Sequence, residues 1–232
     1  MSLILVPTPI ADDLPLEPRA HALLLEEAMK EEVILLVEEH KVGRQRWIKW
    51  GLPREAIEKF ILFNEHTQEK LVPEIIKEMK QGKKVYLLSD CGLPAFCDPG
   101  QGLVNACHKN RIKVTATPFP NSIALALALS GFSHDRFNFS GFIPVKEPER
   151  SKWMKQELAR PETLIWMETP YRLGKLLDEI TKTNTSRELF LGMDLGHTSE
   201  QLLRGMAKDL VKLLKEGEKR EFVLIISPIK SL

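Results

Sequence analysis

Ser89-Asp90-Cys91-Gly92-Leu93-Pro94-Ala95-Phe96-Cys97-Asp98-Pro99-Gly100 is the stretch on which the reading of this chain turns. It follows Lys84-Val-Tyr-Leu-Leu88, a short apolar run of the kind found on inner strands of parallel sheets. Two Asp, two Pro and two Gly then fall where a helix would otherwise begin, so the backbone must bend sharply there. In open α/β sheets ligands bind outside the carboxyl ends of strands, which makes this a candidate ligand loop as well as a turn.

Working outward, other apolar runs end in the same manner. Leu3-Ile-Leu-Val6 runs into Pro7-Thr-Pro-Ile-Ala11, Val33-Ile-Leu-Leu-Val37 into Glu38-Glu-His-Lys41, and Ile61-Leu-Phe63 into Asn64-Glu-His-Thr67. Between them, residues 19–31 and 69–80 carry apolar positions at helical spacing, with Gly82 as a C-cap. This alternation predicts βαβ units and a parallel sheet. Helix 103–109 and strand 113–117 complete the first half.

Pro118-Phe-Pro-Asn-Ser122 interrupts that rhythm and is the expected boundary, giving an N-terminal α/β domain over 1–117 and a C-terminal one over 118–232. The nearly all-apolar helix 123–130 that follows is expected to be buried, with Asn or Ser before it as N-cap. Strands at 137–142, 163–167, 189–193 and 222–226, separated by helices near 151–160, 172–182 and 206–215, predict a mixed sheet.

Composition narrows the function. Apolar residues make up 43% and charged residues 28%, an ordinary globular balance, and the formal net charge is +1, so any polyanion must be bound by a local patch. Lys41, Arg44, Arg46 and Lys49 interleave with Trp47 and Trp50, a mixture suited to phosphates and stacked bases, although Trp residues three apart on a helix also serve as core. Three cysteines, Cys91, Cys97 and Cys107, without CxxC spacing suggest neither a disulfide framework nor a metal cluster, and fit a reducing cytoplasm. The start of the chain reads as no signal peptide, and no apolar run nears the roughly 20 residues of a membrane span.

The ordered series Thr8-Pro-Ile10, Glu38-Glu39, Phe63-Asn-Glu-His66, Ser89 to Gly100, Pro120-Asn-Ser122, Glu168-Thr-Pro-Tyr-Arg172 and Arg220-Glu-Phe-Val-Leu224 resembles the tetrapyrrole methylase superfamily of S-adenosylmethionine-dependent methyltransferases. Within it, the likeness is to the small-subunit ribosomal RNA cytidine 2′-O-methyltransferases, whose usual motifs read TPIGN, an ED-T-R-H-T run, YHEHN, SDAGTPGISDPG, GPSA, ESPHR and GEFVLV. This chain departs from them at Ala11-Asp12, Val42-Gly43 and Leu93. The resemblance implies a two-domain α/β enzyme with the cofactor in a cleft between the domains, usually a homodimer, and no metal. Carried over by position, the cofactor contacts are Ile10, Asp90, Leu93, Ser122, Ile123, Met167 and Leu195. Glu39 and Asp98 are the candidate catalytic carboxylates, and Lys41, Arg44, Glu65, His66, Tyr171 and Arg172 the candidate acceptor-binding residues. Each has a bland alternative: Asp98 as a turn-former, Arg172 as a salt-bridge residue, the remainder as solvated surface. RNA is the leading acceptor, a small molecule such as a tetrapyrrole the alternative, and a non-catalytic cofactor-binding regulator the third reading.

Overall fold

A computed structural model describes residues 1–11, 14–119, 121–215 and 217–229. The chain divides into two compact units, residues 1–120 and 121–232.

Unit 1 is a five-stranded, all-parallel sheet in the order β3-β2-β4-β1-β5. The strands are β1 (Ser2–Val6), β2 (Val33–Val37), β3 (Phe60–Leu62), β4 (Lys84–Leu88) and β5 (Lys113–Ala116). Their connections run through α1 (Pro18–Glu27), α2 (His40–Lys49), α3 (Gln68–Lys80) and α4 (Gln101–Lys109). All five residues of β2 are buried, as expected where helices cover both faces of a parallel sheet.

Successive side chains of the strands feed opposite faces. Ile4, Val6, Leu35, Tyr86 and Leu88 pack with Ala20 and Leu24 of α1 and Trp47 of α2, whereas Leu3, Leu36, Val85 and Leu87 pack with Ile75 and Met79 of α3 and Leu103 of α4. The chain steps one way from β1 to β2 and β3, then reverses to β4 and β5. Right-handed crossovers therefore put α1 and α2 on one face and α3 and α4 on the other. β4 lies between β1 and β2, and its outgoing helix leaves on the face opposite to theirs. Its carboxyl end is thus a topological switch point, where adjacent connections diverge and leave a crevice.

Unit 2 has a five-stranded mixed sheet in the order β6-β7-β10-β8-β9. Only β6 (Phe137–Phe142) and β7 (Thr163–Met167) pair in parallel; β8 (Leu189–Met193), β9 (Gln201–Gly205) and β10 (Phe222–Ile226) join antiparallel. Leu164 and Trp166 of β7 with Leu224 and Ile226 of β10 face α6 (Glu149–Leu158), α7 (Leu173–Lys182) and α8 (Ala207–Leu213). Ile165, Val223 and Ile225 face α5 (Ser122–Ser130) instead.

Helix α5 is not wholly buried, contrary to the expectation from its composition. Ile123, Ala126, Leu127 and Ser130 are covered, whereas Ala124, Ala128 and Leu129 are exposed, because only one of its sides lies on the unit 2 sheet. Strand β9, Gln201-Leu-Leu-Arg-Gly205, has adjacent Leu residues in place of a regular alternation and is an edge strand that the sequence reading did not mark. Two buried arginines brace this unit. Arg187 donates to the carbonyls of Ser227, Leu158, Arg160 and Glu162, and burial lowers its pKa to about 10. Arg150, fully buried, donates to Glu168 at 2.7 Å and Glu179 at 2.8 Å and to the Pro144 carbonyl.

Candidate active site

The carboxyl ends of β1, β2, β3 and β4 bring together the loops that the sequence marked. The β1 and β4 loops form a two-residue bridge: Thr8 N–H donates to the Gly92 carbonyl at 2.9 Å and Gly92 N–H to the Thr8 carbonyl at 3.1 Å. The Ser89 hydroxyl donates to the Gly92 carbonyl and the Thr8 hydroxyl to the Ser89 carbonyl, which leaves the turn little freedom. The Arg46 guanidinium donates to the Pro9 carbonyl at 2.8 Å, so this basic residue braces the β1 loop.

The β2 and β4 ends are tied by carboxylates. Asp90 Oδ1 accepts the Glu39 N–H at 3.3 Å, and Glu38 Oε2 accepts the Asp90 N–H at 3.1 Å. Burial, then the neighbouring Glu38, pushes the Asp90 carboxyl up to about 6, against the pull of the Glu39 amide. Asp98 is driven further, to about 7, first by burial and then by Glu38 and Asp90; the polar Ser89 side chain opposes this. Burial and like-charge repulsion therefore hold both Asp90 and Asp98 above the ordinary carboxylate range at the switch point.

The turn that carries Asp98 is strained. Ala95 and Cys97 both hold φ of 64°, and Gly100 holds φ of 131° at a point where an added Cβ would lie 2.7 Å from Leu87 Cδ2. Gly100 is obligatory there on both counts. Beside this turn lies a groove of about 540 Å³, bounded by Glu65, Gln68, Glu69, Cys97, Asp98 and Gly100. Asn64 and Thr67 shape its far wall by exchanging side-chain bonds with each other's backbone, and exposed Glu65 and His66 follow with their side chains 3.3 Å apart.

The remaining sequence-marked residues separate into distinct groups. Ile10 and Leu93 lie in the bridged β1 and β4 loops beside Asp90. Lys41 and Arg44 are exposed on α2, which starts next to Glu39, and neither forms an ion pair among the described residues. Trp47 is not available for stacking: it is fully buried, its indole N–H donates to the Pro53 carbonyl, and its ring meets Phe60 edge-on at 5.2 Å. In unit 2, Ile123, Leu195 and Met167 share one apolar cluster, while Ser122 begins α5. The α5 cap is Asn121, whose Oδ1 takes the Ile123 and Ala124 N–H groups. Tyr171 is exposed under the Lys219 ammonium at 5.1 Å, and Arg172 pairs with buried Glu168 at 3.2 Å. Among the described residues no group of His, Cys, Asp and Glu is arranged to hold a metal ion, and no helix is long and apolar enough to cross a membrane. Sequence reasoning passed over Gln68, which looked like an ordinary helix-start residue; only its cross-element bond to Gly100 distinguishes it.

Comparison with known proteins agrees with this architecture. The chain is 32% identical over 161 residues to ribosomal RNA small subunit methyltransferase I of Thermotoga maritima, covering 69% of this chain and 72% of that protein. To the protein of the same name from Xylella fastidiosa it is 30% identical over 229 residues, 97% of this chain and 81% of that one. Across such curated relatives the matched stretch spans 58% to 81% of their length. Uroporphyrin-III C-methyl transferase from Thermus thermophilus, solved with S-adenosyl homocysteine, shares the fold at a TM-score of 0.56 and 16% identity, over 98% of this chain and 97% of that one. Fold and relatives together define an S-adenosylmethionine-dependent methyltransferase. The chain belongs to the family described as Tetrapyrrole (Corrin/Porphyrin) Methylases, whose pattern matches residues 19–211.

Proposed function

We propose that this methyltransferase acts on ribosomal RNA, with the ribose 2′-hydroxyl of a cytidine as acceptor. The observation that carries the proposal is the end-to-end similarity to relatives named for small-subunit ribosomal RNA. Locally, the exposed pair Lys41 and Arg44 stands at the start of α2, beside the carboxyl cluster, and supplies cations for phosphates that a net charge of +1 does not attract by itself.

Asp98 is assigned as the general base. A carboxyl near 7 is matched to proton transfer at neutral pH, because it is substantially ionised there and yet far more basic than an ordinary carboxylate. It accepts the hydroxyl proton as the ribose oxygen bonds to the methyl carbon and the carbon–sulfur bond breaks. Glu39 is assigned a supporting role through its N–H, which holds Asp90. The cofactor fits this site: its sulfonium and ammonium are cationic and the strand ends present the carboxylates of Asp90 and Glu38. When bound it supplies the activated methyl group. Ile10 and Leu93 join Asp90 in holding it, and Ser122, Ile123, Met167 and Leu195 are assigned backbone contacts, since three of those side chains are committed to an apolar cluster. Glu65, His66, Tyr171 and Arg172 are further acceptor-side candidates. A cytoplasmic homodimer is the proposed working form.

The test is transfer of labelled methyl from the cofactor to small-subunit RNA, with position mapped by resistance to alkaline cleavage. Asp98→Asn should abolish transfer while retaining cofactor binding. Lys41→Ala with Arg44→Ala should weaken RNA binding and lower the slope of log affinity against log salt by about two. Label entering small molecules and never RNA would refute the assignment.

A further inference from the structure

The Asp98 turn carries more strain than the contacts within it account for. Ala95, Cys97 and Gly100 all hold positive φ within six residues, and inside the turn the Ala95 N–H bond to the Pro99 carbonyl at 3.2 Å is long. Such a conformation persists only where neighbouring structure imposes it. Gly100 closes against Leu87 from below, and from the side the Gln68 carboxamide of α3 accepts the Gly100 N–H at 3.3 Å. Gln68 is itself placed by the Asn64–Thr67 exchange of hydrogen bonds that fixes the start of α3.

We propose that Gln68 is the positioning residue of this site, holding the Pro99-Gly100 turn against α3 and so keeping the Asp98 carboxyl among its acidic neighbours. The charged and titratable groups facing Asp98 are Glu38 from the end of β2, Asp90 from the end of β4, Glu65 and Glu69 across the groove, and the adjacent Cys97 thiol. All are acidic, and the groove lining contains no cation. A turn released from Gln68 swings Asp98 away from this company toward water, where both burial and like-charge repulsion diminish. The inference rests on the proposed function only in giving Asp98 a role in catalysis; its structural content is independent of the acceptor.

The test is a carboxyl carbon NMR titration of Asp98 in the full chain, compared with Gln68→Met, which keeps length but loses the acceptor, and Gln68→Glu, which keeps an acceptor oxygen. Asp98 should titrate near 7 in the parent protein, fall toward the ordinary carboxylate range in Gln68→Met, and stay at or above the parent value in Gln68→Glu. An unchanged midpoint in Gln68→Met overturns the proposal, as does an equal fall in both variants. Gly100 amide hydrogen exchange in the parent should be slow, and unprotected exchange would overturn the proposal without any variant. The pH profile of kcat separates the two readings: with Asp98 as base, its rise moves to lower pH in Gln68→Met. If the NMR midpoint moves and the profile does not, the positioning stands and the general-base assignment fails.

Discussion

Replacing Asp98 by Asn removes a carboxyl that the fold holds against its own ionisation, so the substitution should stabilise the protein in alkaline solution. In the folded chain Asp98 ionises near 7, against 3.8 for an unperturbed Asp. The folded state therefore binds more protons than the unfolded state between those values. Stability falls as pH rises through that window, and the penalty is complete above it. A gap of roughly three pH units at about 1.4 kcal/mol each sets an upper figure of about 4 kcal/mol. The carboxyl is only part-buried and shares its repulsion with Glu38 and Asp90, so solvent screening reduces the recoverable part to about 1–2 kcal/mol. Urea unfolding of parent and variant should thus show a stability difference that shifts in favour of Asn by about 1–2 kcal/mol between about pH 4 and about pH 8. A difference that is the same at both pH values, or that moves the other way, would refute the electrostatic account of this loop.

Two further perturbations test the scaffold. Trp47→Ala should cost about 3–5 kcal/mol by urea unfolding, since it empties a fully buried site and orphans the Pro53 carbonyl; a melting temperature near the parent's would instead mean that Trp47 is a surface residue. Glu168→Ala leaves the buried Arg150 guanidinium with Glu179 as its only carboxylate partner in the network, and should cost about 3 kcal/mol or more. A loss below about 1 kcal/mol would show that water reaches this arginine.

Much of the architecture follows from local chemistry alone. Runs such as Val33–Val37, Lys84–Leu88, Thr163–Met167 and Phe222–Ile226 match the observed strands because an apolar run between turn-formers has few other ways to satisfy its backbone. The strand-end placement of Glu38, Glu39, Asp90 and Asp98 was legible for the same reason, since Gly and Pro mark where strands stop. Strand β9 was not, because Gln201–Gly205 is short, pairs along one edge only and has two adjacent Leu in place of an alternating pattern.

What sequence could not decide is set by long-range packing. The basic-aromatic segment of α2 permits both stacking on bases and burial, and only the sheet packed beneath it settles that Trp47 lies in the core, Arg46 reaches Pro9, and Lys41 and Arg44 stay at the surface. Likewise an Asp before Pro-Gly is an ordinary turn-former until strand order is known. The order β3-β2-β4-β1-β5 sets the β2 and β4 loops side by side, bringing Glu38 and Asp90 next to Asp98, and it is that proximity, together with burial, that changes when the carboxyl gives up its proton. Charge repulsion acts through space, over separations in the chain of 60 residues between Glu38 and Asp98, and the topology alone sets that distance.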